Sequence, residues 1–337
     1  MAALLDVQNL KASYRTTAGV GTAVDSISFC IDEGKSLGLI GESGCGKTTV
    51  GRAVIRVMPR NMQIDSGKII FKGRDLLALP ENDMRELRWR DISMVPQSSM
   101  HSLDPVYRLE DQMLEVLCER GGQSKQEARQ RTKELFALVG LDAARLHNYP
   151  HELSGGMKQR AVIAMALALH PSLIIADEPV TALDVIVQEQ VLETMRDLQE
   201  RLGISVIMIT HDMSVVAQTC QDVAVMYAAK IVESGPVQTI FKRSFHPYTI
   251  GLERAFPNLM EPKTLVSIEG SLPSLLHPPV GCRFTSRCPF ALDICRQQEP
   301  PMLEADSGHM VACHRVNEAE WMRTQAQDAK TWQKMAA

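Results

Sequence analysis

Gly41-Glu42-Ser43-Gly44-Cys45-Gly46-Lys47-Thr48 is the stretch on which the reading of this chain turns. It has the spacing G-x-x-x-x-G-K-[ST], and its setting matters as much as its letters. Before it, Lys35 to Ile40 is a short apolar segment that reads as a strand ending at Gly41. After it, from Thr48 onward, TTVGRAVIRVM has helical spacing and stops before Pro59. A strand, a glycine-rich turn and a helix in that order place a curled backbone at the positive end of a helix. The glycines let successive N–H groups turn inward around phosphate oxygens. Lys47 supplies a cation for the β- and γ-phosphates, and the Thr48 hydroxyl is placed to ligate Mg²⁺. A generic glycine-rich turn would need neither the strand nor the helix. Gly41, Ser43, Gly44, Cys45, Gly46, Lys47, Thr48 and Thr49 are therefore the predicted nucleotide-binding residues.

Working outward, Leu4 to Ser13 alternates loosely and reads as a strand, and Ile27 to Ile31 as a second. From Ser98 to Met165 the patterns turn helical (EDQMLEVLCER, KQEARQRTKELFALVG), broken at Gly121-Gly122 and Asn148-Tyr149-Pro150. Strands return at Ser172 to Ala176 and Ser205 to Ile209, with a helix from Val187 to Leu202 between them. Short, nearly all-apolar runs joined by a crossover helix are the pattern of buried parallel strands. After Phe245 the density of Pro, Cys and loop residues rises. Met260 to Pro279 reads as a linker, and the last twenty residues as a polar helix or a frayed tail.

Composition narrows the function classes. The chain has 337 residues, 45% apolar and 23% charged, with a net charge of −4, so no field favours nucleic acid or anionic lipid. Its longest apolar run, Ala161 to Leu169, is about half of what a membrane-crossing helix needs. Met1 to Leu10 lacks the basic, apolar and small-residue succession of a secretion signal. Cys30, Cys45, Cys118 and Cys220 are scattered singly, whereas Cys282, Cys288, Cys295 and Cys313 cluster as C-x₅-C-x₆-C-x₁₇-C. Without a secretion signal, such clustering favours a metal site over disulfides. Four thiolates suit either a [4Fe–4S] cluster or zinc, though the C-x₂-C pairing of zinc ribbons is missing.

The remaining motifs carry a family resemblance over residues 4 to 240. Leu153-Ser-Gly-Gly-Met-Lys-Gln-Arg160 resembles the signature motif of ATP-binding cassette (ABC) ATPases, and its companions occur in that family's order. Gln97 matches the glutamine that sits near Mg²⁺ and senses the transmembrane partner. LIIAD ends at Asp177, which matches the aspartate of the Mg²⁺ shell, and Glu178 stands where the family keeps the carboxylate that polarises water. Thr181-Ala-Leu-Asp184 resembles the D-loop, His211 matches the switch histidine, and Tyr14 stands where an aromatic ring stacks on adenine. The resemblance implies a P-loop α/β core, an antiparallel β subdomain and a helical subdomain at about 98–164. It implies ATP and Mg²⁺ held by Thr48, Gln97 and Asp177, with Glu178 and His211 catalytic. Ser154, Gly155, Gly156 and Asp184 would meet the nucleotide of the other subunit. Taken singly, His211 would read as a core histidine, Tyr14 as packing, and Ser154 as an ordinary helix cap.

Local features resemble one branch, the ATPase subunits of dipeptide, oligopeptide and nickel importers: Met100 to Pro105 (MHSLDP), HPYT from His246 to Thr249, and the tail from Gly281. Val180, Ile186 and Ala229 depart from the residues that branch leads one to expect. The resemblance points to a nucleotide-binding domain over 1–245, a C-terminal extension over 246–337, and a [4Fe–4S] cluster on the four clustered cysteines. Its implied partners are a second ATPase subunit in a heterodimer, two transmembrane permease subunits and an extracytoplasmic solute-binding protein, at the cytoplasmic face of the inner membrane. Peptides are the expected cargo, with nickel or oligosaccharide as the alternative. A soluble ABC ATPase of DNA repair or translation would carry two cassettes or a long coiled-coil insertion, and this chain has neither. A regulatory iron–sulfur sensor would not need Glu178 and His211.

Overall fold

The computed structural model describes residues 3–97, 102–255 and 268–333. Strands β1 (Leu5–Thr16) and β2 (Gly19–Ile31) form a hairpin, followed by β3 (Ser36–Ile40) and helix α1 (Lys47–Ile55). Next, β4 (Met62–Phe71) and β5 (Arg74–Asp75) return to the hairpin, completing an antiparallel sheet in the order β2-β1-β4-β5. The chain continues through α2 (Glu81–Arg90), β6 (Ile92–Val95), α3 (Leu109–Glu115), α4 (Lys125–Leu138) and α5 (Gly155–Ala166). Then come β7 (Leu173–Asp177), α6 (Val185–Leu202), β8 (Ser205–Thr210), α7 (Met213–Thr219), β9 (Asp222–Tyr227) and β10 (Lys230–Pro236). Helices α8 (Val237–Arg243) and α9 (Pro247–Ala255) lead into the C-terminal part, which contains α10 (Asp293–Gln297), β11 (Leu303–Asp306), β12 (His309–Val311), α11 (Ala319–Gln325) and α12 (Ala329–Gln333).

The second sheet runs β11-β12-β10-β9-β3-β8-β7-β6, and its strands from β9 to β6 are parallel. Every residue of β3, β7 and β8 is buried, as expected for strands covered on both faces. Because β3, β8, β7 and β6 are neighbours, their C-terminal ends lie side by side, and the segments leaving them meet. In open parallel sheets that edge is where ligands bind.

Helices α3, α4 and α5 close around Leu109, Met113, Leu135, Phe136 and Leu146 and form the expected helical subdomain. Its predicted start at Ser98, and Met100 and His101 of MHSLDP, lie outside the described residues. So do residues 260–267 of the predicted linker.

One expectation changes. A boundary at 245 would cut a continuous sheet, because β12 pairs with β10 (Glu233 opposite Val311) and β11 pairs with β12. Tyr227 and Val232 share one apolar cluster with Tyr248, Phe284, Met322 and Trp332. Of the two readings of the last twenty residues, the helical one holds for those described: α11 and α12 are helices on which Met322 and Trp332 are buried, and the Trp332 Nε1–H donates to the Ala326 carbonyl at 3.2 Å. Two short helices carry too few apolar residues for their periodicity to stand out against the polar majority. Among the described residues no helix is long and apolar enough to cross a membrane.

Candidate functional site

Helix α1 opens without a side-chain cap and without an acidic residue in its first turn. Its leading N–H groups therefore lack intrahelical partners, and together with the helix dipole they favour an anion. Gly46 caps this end at φ 112, and a Cβ there would stand 2.0 Å from the Ala23 carbonyl oxygen, so only glycine fits. Lys47 is buried, and its ammonium donates to the carbonyls of Gly41 at 2.6 Å and Glu42 at 3.0 Å.

A cavity of about 460 Å³ lies over this helix start, lined by Tyr14, Ala23, Ser43, Gly44, Gly46, Lys47, Thr48, Thr49, Gln97, Glu178 and Leu275. Gly41 and Cys45, expected among the nucleotide contacts, are buried and do not line it. The Tyr14 hydroxyl is 3.3 Å from Thr49 Oγ1, which fixes the ring at the edge of the cavity.

Asp177 ends β7, and its carboxylate accepts from the Thr48 hydroxyl at 3.1 Å. Burial and the neighbouring charge of Glu178 push its pKa up, against the Thr48 hydrogen bond. Glu178 leaves the strand at φ 47, a left-handed conformation that is costly for a residue with a Cβ. Its N–H still donates to the Ile209 carbonyl of β8 at 2.8 Å. The carboxylate is surrounded by donors. Gln97 Nε2 at 3.2 Å and the Thr181 hydroxyl at 2.9 Å reach one oxygen, and His211 Nδ1 stands 3.1 Å from the other. Burial alone would raise the Glu178 pKa, but the hydrogen bonds from His211 and Thr181 outweigh it and hold the group below the ordinary glutamate range. A buried carboxylate kept ionised beside a phosphate cradle can accept a proton from water.

Ser154, Gly155, Gly156 and Asp184 do not line this cavity. Ser154 caps α5, its hydroxyl accepting from the Met157 N–H at 3.4 Å, and Asp184 caps α6 through the Val187 N–H at 3.0 Å. Gly156 has a packing duty of its own, since a Cβ there would meet Val187 Cγ1 at 2.3 Å.

Sequence reasoning missed three members of the site, Ala23, Thr181 and Leu275. Thr181 was visible only as part of the D-loop pattern. Leu275 lies in a stretch read as a linker, and nothing in its local pattern marks it.

Cys282, Cys288, Cys295 and Cys313 line a second cavity, of about 20 Å³, together with His246, Phe284, Phe290 and His314. All eight cysteines are free thiols. Burial pushes the Cys313 thiol up to about 12 and also raises Cys282 and Cys288. Among the described residues no three His, Cys, Asp or Glu side chains are grouped as a metal ion requires. Arg283 and Arg287 flank the first two of these cysteines, and Arg287 reaches back to Glu42 of the glycine-rich loop. Arg283 binds Asp25 and the Ala228 carbonyl. Arg287 grips both Glu42 carboxylate oxygens at 2.9 Å, and the Tyr248 hydroxyl accepts from the Glu42 N–H at 2.9 Å.

Comparison with known proteins places this arrangement. A family profile described as ABC transporter matches residues 24–181, and one described as oligopeptide/dipeptide transporter, C-terminal region, matches 232–295. A probable peptide ABC transporter ATP-binding protein, y4tR, of Sinorhizobium fredii is 45% identical over 94% of this chain and 96% of its own length. The chain belongs to the family of ABC transporter ATP-binding proteins. The oligopeptide transport ATP-binding protein OppD of Bacillus subtilis is 44% identical over 91% of this chain and 87% of its own, and the dipeptide transport protein DppD of Lactococcus lactis is 44% identical over 91% and 89%. In fold, the ABC cassette MJ0796, solved as a dimer in a post-hydrolysis state with ADP and phosphate, superposes with a TM-score of 0.63 at 24% identity, over 69% of this chain and 98% of its own.

Proposed function

We propose that this ABC ATPase hydrolyses ATP to energise a peptide importer, acting as a peripheral subunit on the cytoplasmic face of the cell membrane. The observation that carries the mechanism is the Glu178 carboxylate, held ionised by His211 and Thr181 and bonded by Gln97, on the wall of the cavity that opens over the α1 N-terminus. The triphosphate takes the N–H groups of α1 and the Lys47 ammonium in place of the loop carbonyls that Lys47 now contacts. Thr48, Asp177 and Gln97 would hold Mg²⁺, whose charge offsets that of the β- and γ-phosphates. Glu178 orients the attacking water and accepts its proton, and His211 steadies the carboxylate while facing solvent.

Ser154, Gly155, Gly156 and Asp184 stand apart from this chain's own cavity, which supports a role on the nucleotide of a second cassette. A relative of similar fold has been solved as a dimer with ADP and phosphate. We favour a heterodimer with a second ATPase subunit, seated on two permease subunits and fed by a solute-binding protein. Peptide as cargo is supported by the peptide, dipeptide and oligopeptide transport for which these relatives from three bacteria are named.

The four clustered thiols suit a [4Fe–4S] cluster in their chemistry. A cubane takes each thiolate at a different iron, so its ligands need not converge on one point as around a single ion. Cys282, Cys288, Cys295 and Cys313 would hold it and would be ionised by it, as burial otherwise disfavours. Its contribution would be to crosslink the extension.

Reconstitution with permease, second cassette and solute-binding protein tests the reading. Peptides should stimulate ATP hydrolysis, and Lys47→Ala should abolish it. Stimulation by nickel or oligosaccharide but by no peptide would refute the cargo, and undiminished hydrolysis by Lys47→Ala would refute the site.

A further inference from the structure

The nucleotide cavity contains one residue from far along the chain, Leu275, more than two hundred positions from the phosphate loop. Its place is fixed by backbone. The Thr22 N–H of β2 donates to the Leu275 carbonyl at 3.0 Å, so the 268–280 segment covers part of a sheet edge that would otherwise present open donors. Tyr14 is the cross-strand partner of Gly21, and the neighbouring Leu276 side chain lies 3.6 Å from where a Gly21 Cβ would be. Leu275 and Tyr14 therefore flank the cavity from the side of β1 and β2, together with Ala23, whose carbonyl abuts Gly46, while Lys47 and the α1 N–H groups form its polar part.

We infer that the C-terminal extension supplies part of the wall of the nucleotide site, with Leu275 packing against the base and ribose alongside Tyr14. This rests on the ATP-site reading above and adds to it a contact residue and a coupling. A triphosphate seated on the α1 N-terminus extends its base toward the side of β1 and β2, where a half-buried leucine has an open apolar face to offer. Arg287 sets the position of this wall. Its Nε–H and Nη2–H donate to the carbonyls of Glu269 and Ile268, each at 2.9 Å, while its other nitrogen holds Glu42 of the phosphate loop. The docked segment and the phosphate loop are thus tied to one guanidinium, and whatever loosens one loosens the other. By reciprocity, ATP that favours the docked segment is itself bound more tightly because of it.

The test compares ATP with inorganic tripolyphosphate, each titrated calorimetrically with Mg²⁺ into the full-length chain. Leu275→Ala should weaken ATP about tenfold, the loss expected when roughly two methylenes of ligand contact disappear. Tripolyphosphate, which has no base, should bind it within about twofold of wild type, and Leu275→Met, of similar volume, should restore ATP affinity. Lys47→Ala serves as the control for the site and should weaken both ligands. If Leu275→Ala binds ATP like wild type while Lys47→Ala does not, the wall assignment falls and the site reading stands. Equal weakening of ATP and tripolyphosphate by Leu275→Ala, or no rescue by methionine, also overturns the wall assignment. Native affinity of Lys47→Ala for both ligands would overturn the site reading itself.

Discussion

Replacing Arg287 by alanine should detach the extension from the phosphate loop, at a cost the structure sets. The side chain is 6% exposed and donates to both Glu42 oxygens, the Tyr227 hydroxyl and the carbonyls of Ile268 and Glu269. Removing one partner of a buried ion pair costs about 3–5 kcal/mol. Glu42 is 30% exposed and regains water, which argues for the lower end, about 3 kcal/mol. At roughly 2.1 cal/mol/K per residue, 337 residues give an unfolding entropy near 0.7 kcal/mol/K, so the thermal midpoint should fall by about 4 °C. Thermal unfolding followed by circular dichroism reads this directly. Arg287→Lys keeps the charge but not the planar fork, and should recover less than half of the loss. An Arg287→Ala chain melting within 1 °C of wild type (about 0.7 kcal/mol on the scale above) would refute the clamp.

Three further outcomes follow from single contacts. Gly46→Ala puts a methyl 2.0 Å from the Ala23 carbonyl at a left-handed φ, and should cost about 3 kcal/mol and abolish ATP binding in a calorimetric titration. Gly156→Ala drives a methyl to 2.3 Å from Val187 Cγ1, so it should lower turnover of the assembled transporter, and Val187→Ala should rescue it in a double-mutant cycle. Burial holds the Glu253 carboxyl protonated up to about 8, whereas the unfolded chain releases that proton near ~4.3. The folded state thus binds the extra proton between these values, so stability present below ~4.3 declines as pH rises toward 8. Glu253→Gln should flatten that decline in urea titrations from pH 5 to 8; an unchanged slope would contradict it.

Much of the core was legible because its signals are local. The phosphate loop, LIIAD and SVIMIT each combine an apolar strand with the residue type that follows it, and strand order then brings their ends together. The left-handed turn at Glu178 has no sequence mark, since strand and loop residues around it look ordinary. The extension was less readable. Leu275, Arg283 and Arg287 act across more than two hundred residues of sequence, and a stretch rich in proline and serine looks like a linker until its backbone is seen bonded to Thr22. Gln97 and His211 converge on Glu178 only through the adjacency of β6, β7 and β8, whereas Thr181 reaches it from three residues away in the same turn.

The most direct trial of the mechanism is Glu178→Gln in the chain assembled with its second cassette and permease. An amide retains the size of the side chain but cannot take the proton of water. Hydrolysis at this site should therefore fall by about 10²–10⁴-fold while ATP stays bound and the two cassettes stay closed on it. ATP hydrolysed at this site at the native rate, with no retained nucleotide, would contradict the assignment of Glu178 and the account built on it.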